Sequence, residues 1–296
     1  MTGERRDSDE IGVGTHGFGT DGLGTDLFGT DALGTDVLGA ADAALLRGDH
    51  HVHSTFSDDG HSTPEENLAA AAVAGLTDLL MVDHVRVSTT YLPGFVAEVR
   101  RLTRPAGLRV RVGVEAKILD AAGTVDAPPE VLAGRAGLDA VLLADHQFPG
   151  PDGPASPRVV LERRAAGLAA ADIVDTLVLA TGRAVHRVPG PQLAHLFSLL
   201  PKIGLDETAV TDEHLTALVA DLLATGATVE VNEKWACPGP RVVAALRAAG
   251  VPLVASTDAH HSRDVGRYDA VRGVLRRSRM SAGRFATERP SVTIAR

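Results

Sequence analysis

Cysteine is almost absent: Cys237 is the single copy in 296 residues. One thiol excludes an intramolecular disulfide framework and points to a reducing, cytoplasmic setting. Aromatic residues make up only 3% of the chain, so Ala, Leu and Val must fill the interior. No apolar run reaches the ~18 residues needed to span a membrane, and Arg5-Arg6 lack the apolar segment that an export signal requires. Positive charge is in deficit, with a formal net charge of −9. That argues against a nucleic-acid partner, because no basic field would attract phosphate backbones. Small phosphorylated molecules stay admissible, since bound cations reverse the local sign. The 44% hydrophobic and 23% charged residues suit a soluble enzyme domain with a substantial core. Oligomeric state leaves no trace in the composition.

Residues 1–40 differ in composition from the rest of the chain. From Gly14 they read GTHGF GTDGL GTDLF GTDAL GTDVL, a pentad with one Leu or Phe per copy. So little apolar surface cannot offset the entropy of ordering, so this low-complexity extension is expected to be disordered, with no catalytic role for its His16. Residues 41–296 are expected to form one catalytic domain.

In that domain strand and helix signals alternate. A first strand ends in His51-Val52-His53, and a helix start follows at Ser62-Thr63-Pro64-Glu65-Glu66, with a capping hydroxyl, a first-turn proline and acids at the positive end of the helix. Strands are predicted near 79–82, 109–119 and 139–144, in QLAHLF up to His195, in ATVEVNEKW, and in VPLVAST. One long helix is predicted over 158–186. Sustained alternation implies a parallel sheet, and six or seven strands imply a barrel near the eight-stranded type.

Residues of metal-binding type gather at the strand ends: His51, His53, Asp58 or Asp59, His84, Glu115, His146, His195, Asp258 and His260. Alternate residues of a strand share a face, so the H-x-H imidazoles can converge on one ion. Imidazoles mixed with carboxylates suit Zn, Mn or Fe. The set is too large for one ion, so two or three divalent ions are expected, with Glu115 able to bridge. His186 rivals His195 but lies in the predicted helix. His50, His61, His214 and His261 read as flanking residues.

The motifs HVHSTFSDDG, VDH (82–84), GVE (113–115), ADH (144–146), LAH (193–195) and STDAH (256–260) resemble the PHP family, the polymerase and histidinol phosphatase superfamily of metal-dependent phosphoesterases. The resemblance spans roughly residues 46–270. It implies an α/β fold, a distorted (β/α)7 TIM-like barrel with a trinuclear site at the strand C-termini. It also implies three ligand groups: His51, His53, Glu115 and Asp258; Glu115, His146 and His195; and the acid after H-x-H with His84 and His260. Many members read S-D-G where this chain has Ser57-Asp58-Asp59-Gly60, so both Asp58 and Asp59 are candidates.

The implied activity is hydrolysis of a small phosphate monoester, histidinol-phosphatase-like, by a metal-bound hydroxide. His51, Glu115, Asp258 and His260 stand at the reacting centre, and a rim water, His260 or Asp145 would protonate the leaving oxygen. Asp49, Asp83 and Asn232 are expected to orient ligands. Arg86, Lys117, Lys202, Lys234 and Arg263 are candidate phosphate clamps, and Trp235 and Phe148 candidate apolar walls. The alternatives are an amidohydrolase-type enzyme, which usually needs a carboxylated lysine where this chain offers Glu115, and a nuclease or nucleotide phosphoesterase on the same barrel. A metal-free relic of the fold is disfavoured by the complete ligand set.

Overall fold

The alternation of strand and helix signals folds into a ring of strands in the computed structural model, which describes residues 38–285, with side chains as far as Met280. The strands in chain order are β1 (Gly48–Val52), β2 (Asp78–Val85), β3 (Arg109–Ile118), β4 (Val125–Asp126), β5 (Ala140–Ala144), β6 (Phe148–Gly150), β7 (Gly153–Ala155), β8 (Gln192–Leu193), β9 (Thr228–Asn232) and β10 (Leu253–Ser256). Seven of them, β1-β2-β3-β5-β8-β9-β10, pair in that spatial order, each parallel to its neighbour. Strand β4 folds back antiparallel on β3, and β6 and β7 form a separate hairpin.

The seam of the ring lies between β1 and β10. There Val52 bridges Ala259 in parallel sense. The His53 N–H donates to Ala259 O at 2.8 Å, and the Ala259 N–H to His51 O at 3.3 Å. The result is the expected seven-stranded, nearly closed barrel.

The helices are α1 (Ala40–Leu45), α2 (Pro64–Val73), α3 (Leu92–Arg101), α4 (Pro129–Leu132), α5 (Pro157–Ala165), α6 (Ala170–Val185), α7 (Leu199–Lys202), α8 (Asp212–Thr225), α9 (Pro240–Ala249) and α10 (Ala270–Phe285). Thr63 caps α2 as a full capping box. Its side chain accepts from the Glu66 N–H, the Glu66 carboxylate accepts from the Thr63 N–H, and Pro64 fills the first turn. The single helix predicted over 158–186 is two helices. Gly167 between them has φ +106°, a left-handed conformation that ends α5 and re-aims the chain. At the far end, Glu233 accepts from the N–H groups of Asp269, Ala270 and Val271 and so caps α10.

Alternation along the strands divides the core. Leu79 and Met81 of β2 belong to the large cluster that includes Leu68 of α2, Phe95 of α3 and Leu177 of α6. Leu80 and Val82 join Leu142, Ala144 and Ala194 in a smaller cluster from neighbouring strands. His84, two residues on from Val82, has the same orientation as that inner set. Of the residues 1–40 read as a disordered extension, 1–37, His16 included, lie outside the described residues, whereas Leu38 packs against the core and Ala40 opens α1.

Candidate metal centre

Each chemical side chain stands on, or just beyond, the C-terminal end of a parallel strand. His51 lies in β1 and His53 one residue past it, with their Nε2 atoms 2.9 Å apart. His84 and Glu115 are partners in the β2–β3 register. His146 follows β5, His195 follows β8, and Asp258 and His260 follow β10.

Glu115 is the hub. Its Oε2 lies 2.9 Å from His84 Nδ1 and 3.5 Å from each Nε2 of His51 and His53. Its Oε1 lies 3.1 Å from His146 Nε2 and 3.0 Å from His195 Nε2. Asp258 Oδ1 approaches His53 Nε2 at 3.4 Å and His51 Nε2 at 3.8 Å. Its Oδ2 accepts from Trp235 Nε1 at 2.9 Å, with Lys234 Nζ at 3.5 Å. Two of these residues have left-handed backbone, His195 at φ +31° and Asp258 at φ +54°. That conformation is uncommon without glycine and concentrates at functional sites.

The geometry separates the two consecutive acids. Asp59 Oδ2 lies 3.3 Å from His84 Nε2 and 3.2 Å from His260 Nε2. Asp58 lines the same cavity but forms no ion pair among the described residues. The selection comes from Asp83, whose carboxylate accepts from the Ser54 N–H and Oγ at 2.9 and 2.5 Å and from the Ser57 N–H and Oγ at 3.2 and 2.5 Å. The loop is thereby pinned under His84, whose own N–H donates to Ser57 Oγ at 3.0 Å. Gly60 completes the turn, because a Cβ there would fall 1.9 Å from Ser54 O.

Asp49 and Asn232 also hold the frame. Asp49 accepts from the Thr257 N–H and hydroxyl and from the Gly266 N–H, which fixes the segment leading into Asp258. Burial nevertheless pushes its carboxyl up to about 6.

The sequence reading missed Glu230. This fully buried carboxylate of β9 accepts from His51 Nδ1 at 3.1 Å, Gln192 Nε2 at 3.0 Å, the His195 N–H at 2.6 Å and Asn232 Nδ2 at 2.8 Å. It thus fixes the His51 tautomer, leaving Nε2 free to face the centre. An acid at an inward position of a central strand was the available signal.

Burial opposes charge throughout the cluster; at His146 it prevails and lowers the pKa, while at most other members the ionic partners win. Glu230, Glu115 and Asp258 hold the His51 pKa well above its usual range despite that burial. Burial also opposes charge on His84 and His195. The carboxylates of Asp59 and Glu115 raise His84 to about 10, and those of Asp145 and Glu115 raise His195 to about 10. Desolvation likewise disfavours ionised Glu115, whose imidazole neighbours nevertheless hold it well below the carboxylate range. Without a metal, protons must balance this charge. Glu115 Oε2 and His146 Nε2 are buried with no hydrogen bond, as expected of atoms whose partner is an ion. Three overlapping donor groups fit cations: His51/His53/Asp258, His53/His84/His260 and His84/Glu115/His146.

A cavity of about 310 Å³ opens over the cluster. Arg86, Lys117 and Lys234 line it beside Trp235. Lys202 lies 3.7 Å from the centroid of the Trp235 ring, on its face. The structure does not bring Arg263 in: its side chain is 72% exposed and pairs with neighbouring Asp264, because the chain past His260 turns outward. Phe148 is buried in the main core and does not line this cavity. His186 pairs with Asp221, His50 with Arg111, and His214 with Asp175, all outside the cluster.

Comparison with known proteins agrees with this architecture. A family model described as the PHP domain matches residues 49–188. A probable histidinol-phosphatase of Deinococcus radiodurans is 31% identical over 239 residues, covering 74% of this chain and 88% of its own. A probable phosphatase of Caldicellulosiruptor saccharolyticus is 26% identical over 239 residues, covering 78% of this chain and 87% of its own. A crystal structure of histidinol phosphate phosphatase from Lactococcus lactis subsp. lactis, complexed with zinc, L-histidinol and phosphate, superposes with a TM-score of 0.56. It covers 80% of this chain and 92% of its own at 14% identity, a likeness of fold.

Proposed function

The chain belongs to the PHP family of phosphoesterases, and from that premise we propose that it hydrolyses a small phosphate monoester at a trinuclear site. It is a hydrolase of phosphoric esters with groups able to bind metal. The observation that carries the reading is Glu115, one buried carboxylate within 3.5 Å of five imidazoles, with no hydrogen bond to Oε2. No single ion satisfies that arrangement. Two or three ions of Zn, Mn or Fe type do: one on His51, His53, Glu115 and Asp258, one on Glu115, His146 and His195, and one on Asp59, His84 and His260.

When bound, such ions neutralise charge on the phosphoryl oxygens and lower the pKa of the attacking water. The protein supplies the rest. Glu230 fixes the ring of His51, Asp83 the loop of Asp59, and Trp235 the carboxylate of Asp258. Lys234, beside Asp258 and His260, presents a cation to the scissile phosphate. Both ring nitrogens of His260 are engaged, by Asp258 O and Asp59 Oδ2, so water at the cavity mouth protonates the leaving oxygen. No helix among the described residues is long and apolar enough to cross a membrane, and with one thiol we place the enzyme in the cytoplasm.

The test is metal content by elemental analysis, paired with hydrolysis of p-nitrophenyl phosphate by the wild type and His51→Ala. Two or three ions per chain and activity lost in the variant are expected. A protein that takes up no metal and stays inert after loading with Zn or Mn defeats the proposal.

A further inference from the structure

We propose that the cavity holds a second anion-binding subsite, formed by Arg86 and Lys117 above the metal centre, and that the natural substrate carries a second anionic group besides the scissile phosphate. This rests on the phosphomonoesterase reading and narrows it to a substrate class.

The argument starts from strand register. His84 and Glu115 are paired neighbours on β2 and β3, followed by Val85 and Ala116. Carried one step past the end of β2, that register sets Arg86 beside Lys117, whose charge Arg86 opposes. Residues two apart on a strand point the same way and stand roughly 7 Å apart along it. Both cations line the cavity together with His84 and Glu115, which puts a basic tier one step nearer the mouth than the ligand tier. Neighbouring strands are only ~4.8 Å apart, and like charges side by side at that spacing destabilise a sheet.

The protein does little to neutralise the pair. Neither cation forms an ion pair among the described residues. Lys117 is part-buried and donates to the neutral Gln147 Oε1 at 3.1 Å. Asp126, opposite Lys117 in the β3–β4 ladder and lining the same cavity, favours the lysine's charge without forming an ion pair with it, and its Oδ1 accepts from the Val87 N–H at 2.8 Å. Asp58 also lines the cavity, without pairing. Two adjacent cations without an ion pair, only partly offset by Asp126, form a site for a phosphate or carboxylate of the substrate. The same tier disfavours an ammonium group, so a cationic substrate such as histidinol phosphate is expected to be the poorer one.

The experiment compares propane-1,3-diol monophosphate with its 1,3-bisphosphate, whose phosphorus atoms span the tier spacing, using metal-loaded enzyme. Histidinol phosphate and p-nitrophenyl phosphate serve as references. The bisphosphate should show a kcat/KM about tenfold or more above that of the monophosphate, about 1.4 kcal/mol of added binding, beyond the twofold advantage of having two equivalent esters. In Arg86→Gln and Lys117→Gln that ratio should fall toward two, mainly through KM, and Lys117→Arg should restore it. Propane-1,3-bisphosphonate should likewise inhibit more tightly than propylphosphonate, and only while both cations are present.

A wild-type ratio of about two, a ratio unchanged in the variants, or a preference for histidinol phosphate over the bisphosphate overturns the subsite and leaves the phosphatase standing. Inactivity of the loaded enzyme on every phosphomonoester, p-nitrophenyl phosphate included, overturns both.

Discussion

Replacing Glu230 by Gln keeps the shape of the side chain and removes its charge. In the native protein four donors converge on this carboxylate: His51 Nδ1, Gln192 Nε2, the His195 N–H and Asn232 Nδ2. A glutamine oxygen can serve two of them, while its own amide hydrogens then face donors. At least two charge-assisted hydrogen bonds are lost, at about 1.5–3 kcal/mol each, so a destabilisation of about 3–6 kcal/mol is expected. Because the His51 ring also loses its orienting partner, metal affinity should fall by about 10–100-fold.

Equilibrium denaturation of the metal-free protein and titration with Zn or Mn give the two numbers separately. The dependence on pH has a definite sign. Burial opposes ionisation of Glu230, but the His51 charge holds its pKa below the ordinary 4.5. Its stabilisation is therefore present above that value and is lost as pH falls through the lower folded pKa. The gap between wild type and variant should be full at neutral pH and shrink in acid. A loss under about 1 kcal/mol with unchanged metal affinity would refute the reasoning, since the observed contacts would then have no energetic weight.

Three further outcomes are expected. Asp59→Asn should lower activity by at least ~100-fold with loss of bound metal, whereas Asp58→Asn should stay within about fivefold; equal effects would show that Asp83 does not hold the loop in one register. Metal binding at pH 8 should release about two to three protons per chain, because His84 and His195 hold theirs up to about 10 in the metal-free protein, His51 is held well above its usual range, and all three must be neutral to ligate. Affinity should accordingly tighten as pH rises toward that value, and calorimetry in buffers of different ionisation enthalpy that finds no proton release would contradict the charge balance. Glu233→Ala should cost about 1–2 kcal/mol by uncapping α10, and an unchanged denaturation midpoint would rule out the cap.

The sequence revealed the candidate site well because its chemistry recurs where apolar strand runs stop. His51-x-His53, Asp83-His84, Glu115, Asp145-His146 and Asp258-x-His260 each follow such a run, and a parallel barrel gathers strand ends at one rim. The Thr63-Pro64-Glu65 start of α2 was equally readable, being local. What stayed hidden was long-range. Nothing adjacent in sequence tells that Glu230 meets His51, 179 residues away, or that Glu233 caps a helix beginning 37 residues later. The choice of Asp59 over Asp58 depends on a loop pinned by Asp83. Gly167 was visible, but an isolated glycine is compatible with a continuing helix. His195 lies beyond a strand of only two residues, in a backbone conformation that its residue type does not announce.

The seam between β1 and β10 bears on how the protein is made. His51 and His53 emerge early in synthesis, and Asp258 and His260 among the last residues of the barrel. Asp49 and Thr257, whose hydrogen bonds lock the two segments together, are 208 residues apart. A contact so distant is slow to form and is reached after most of the domain has condensed. A ribosome-bound chain that stops short of β10 therefore carries seven of the nine proposed ligands and lacks Asp258 and His260. Full metal loading becomes a mark of finished synthesis, and partly made chains lack the assembled centre.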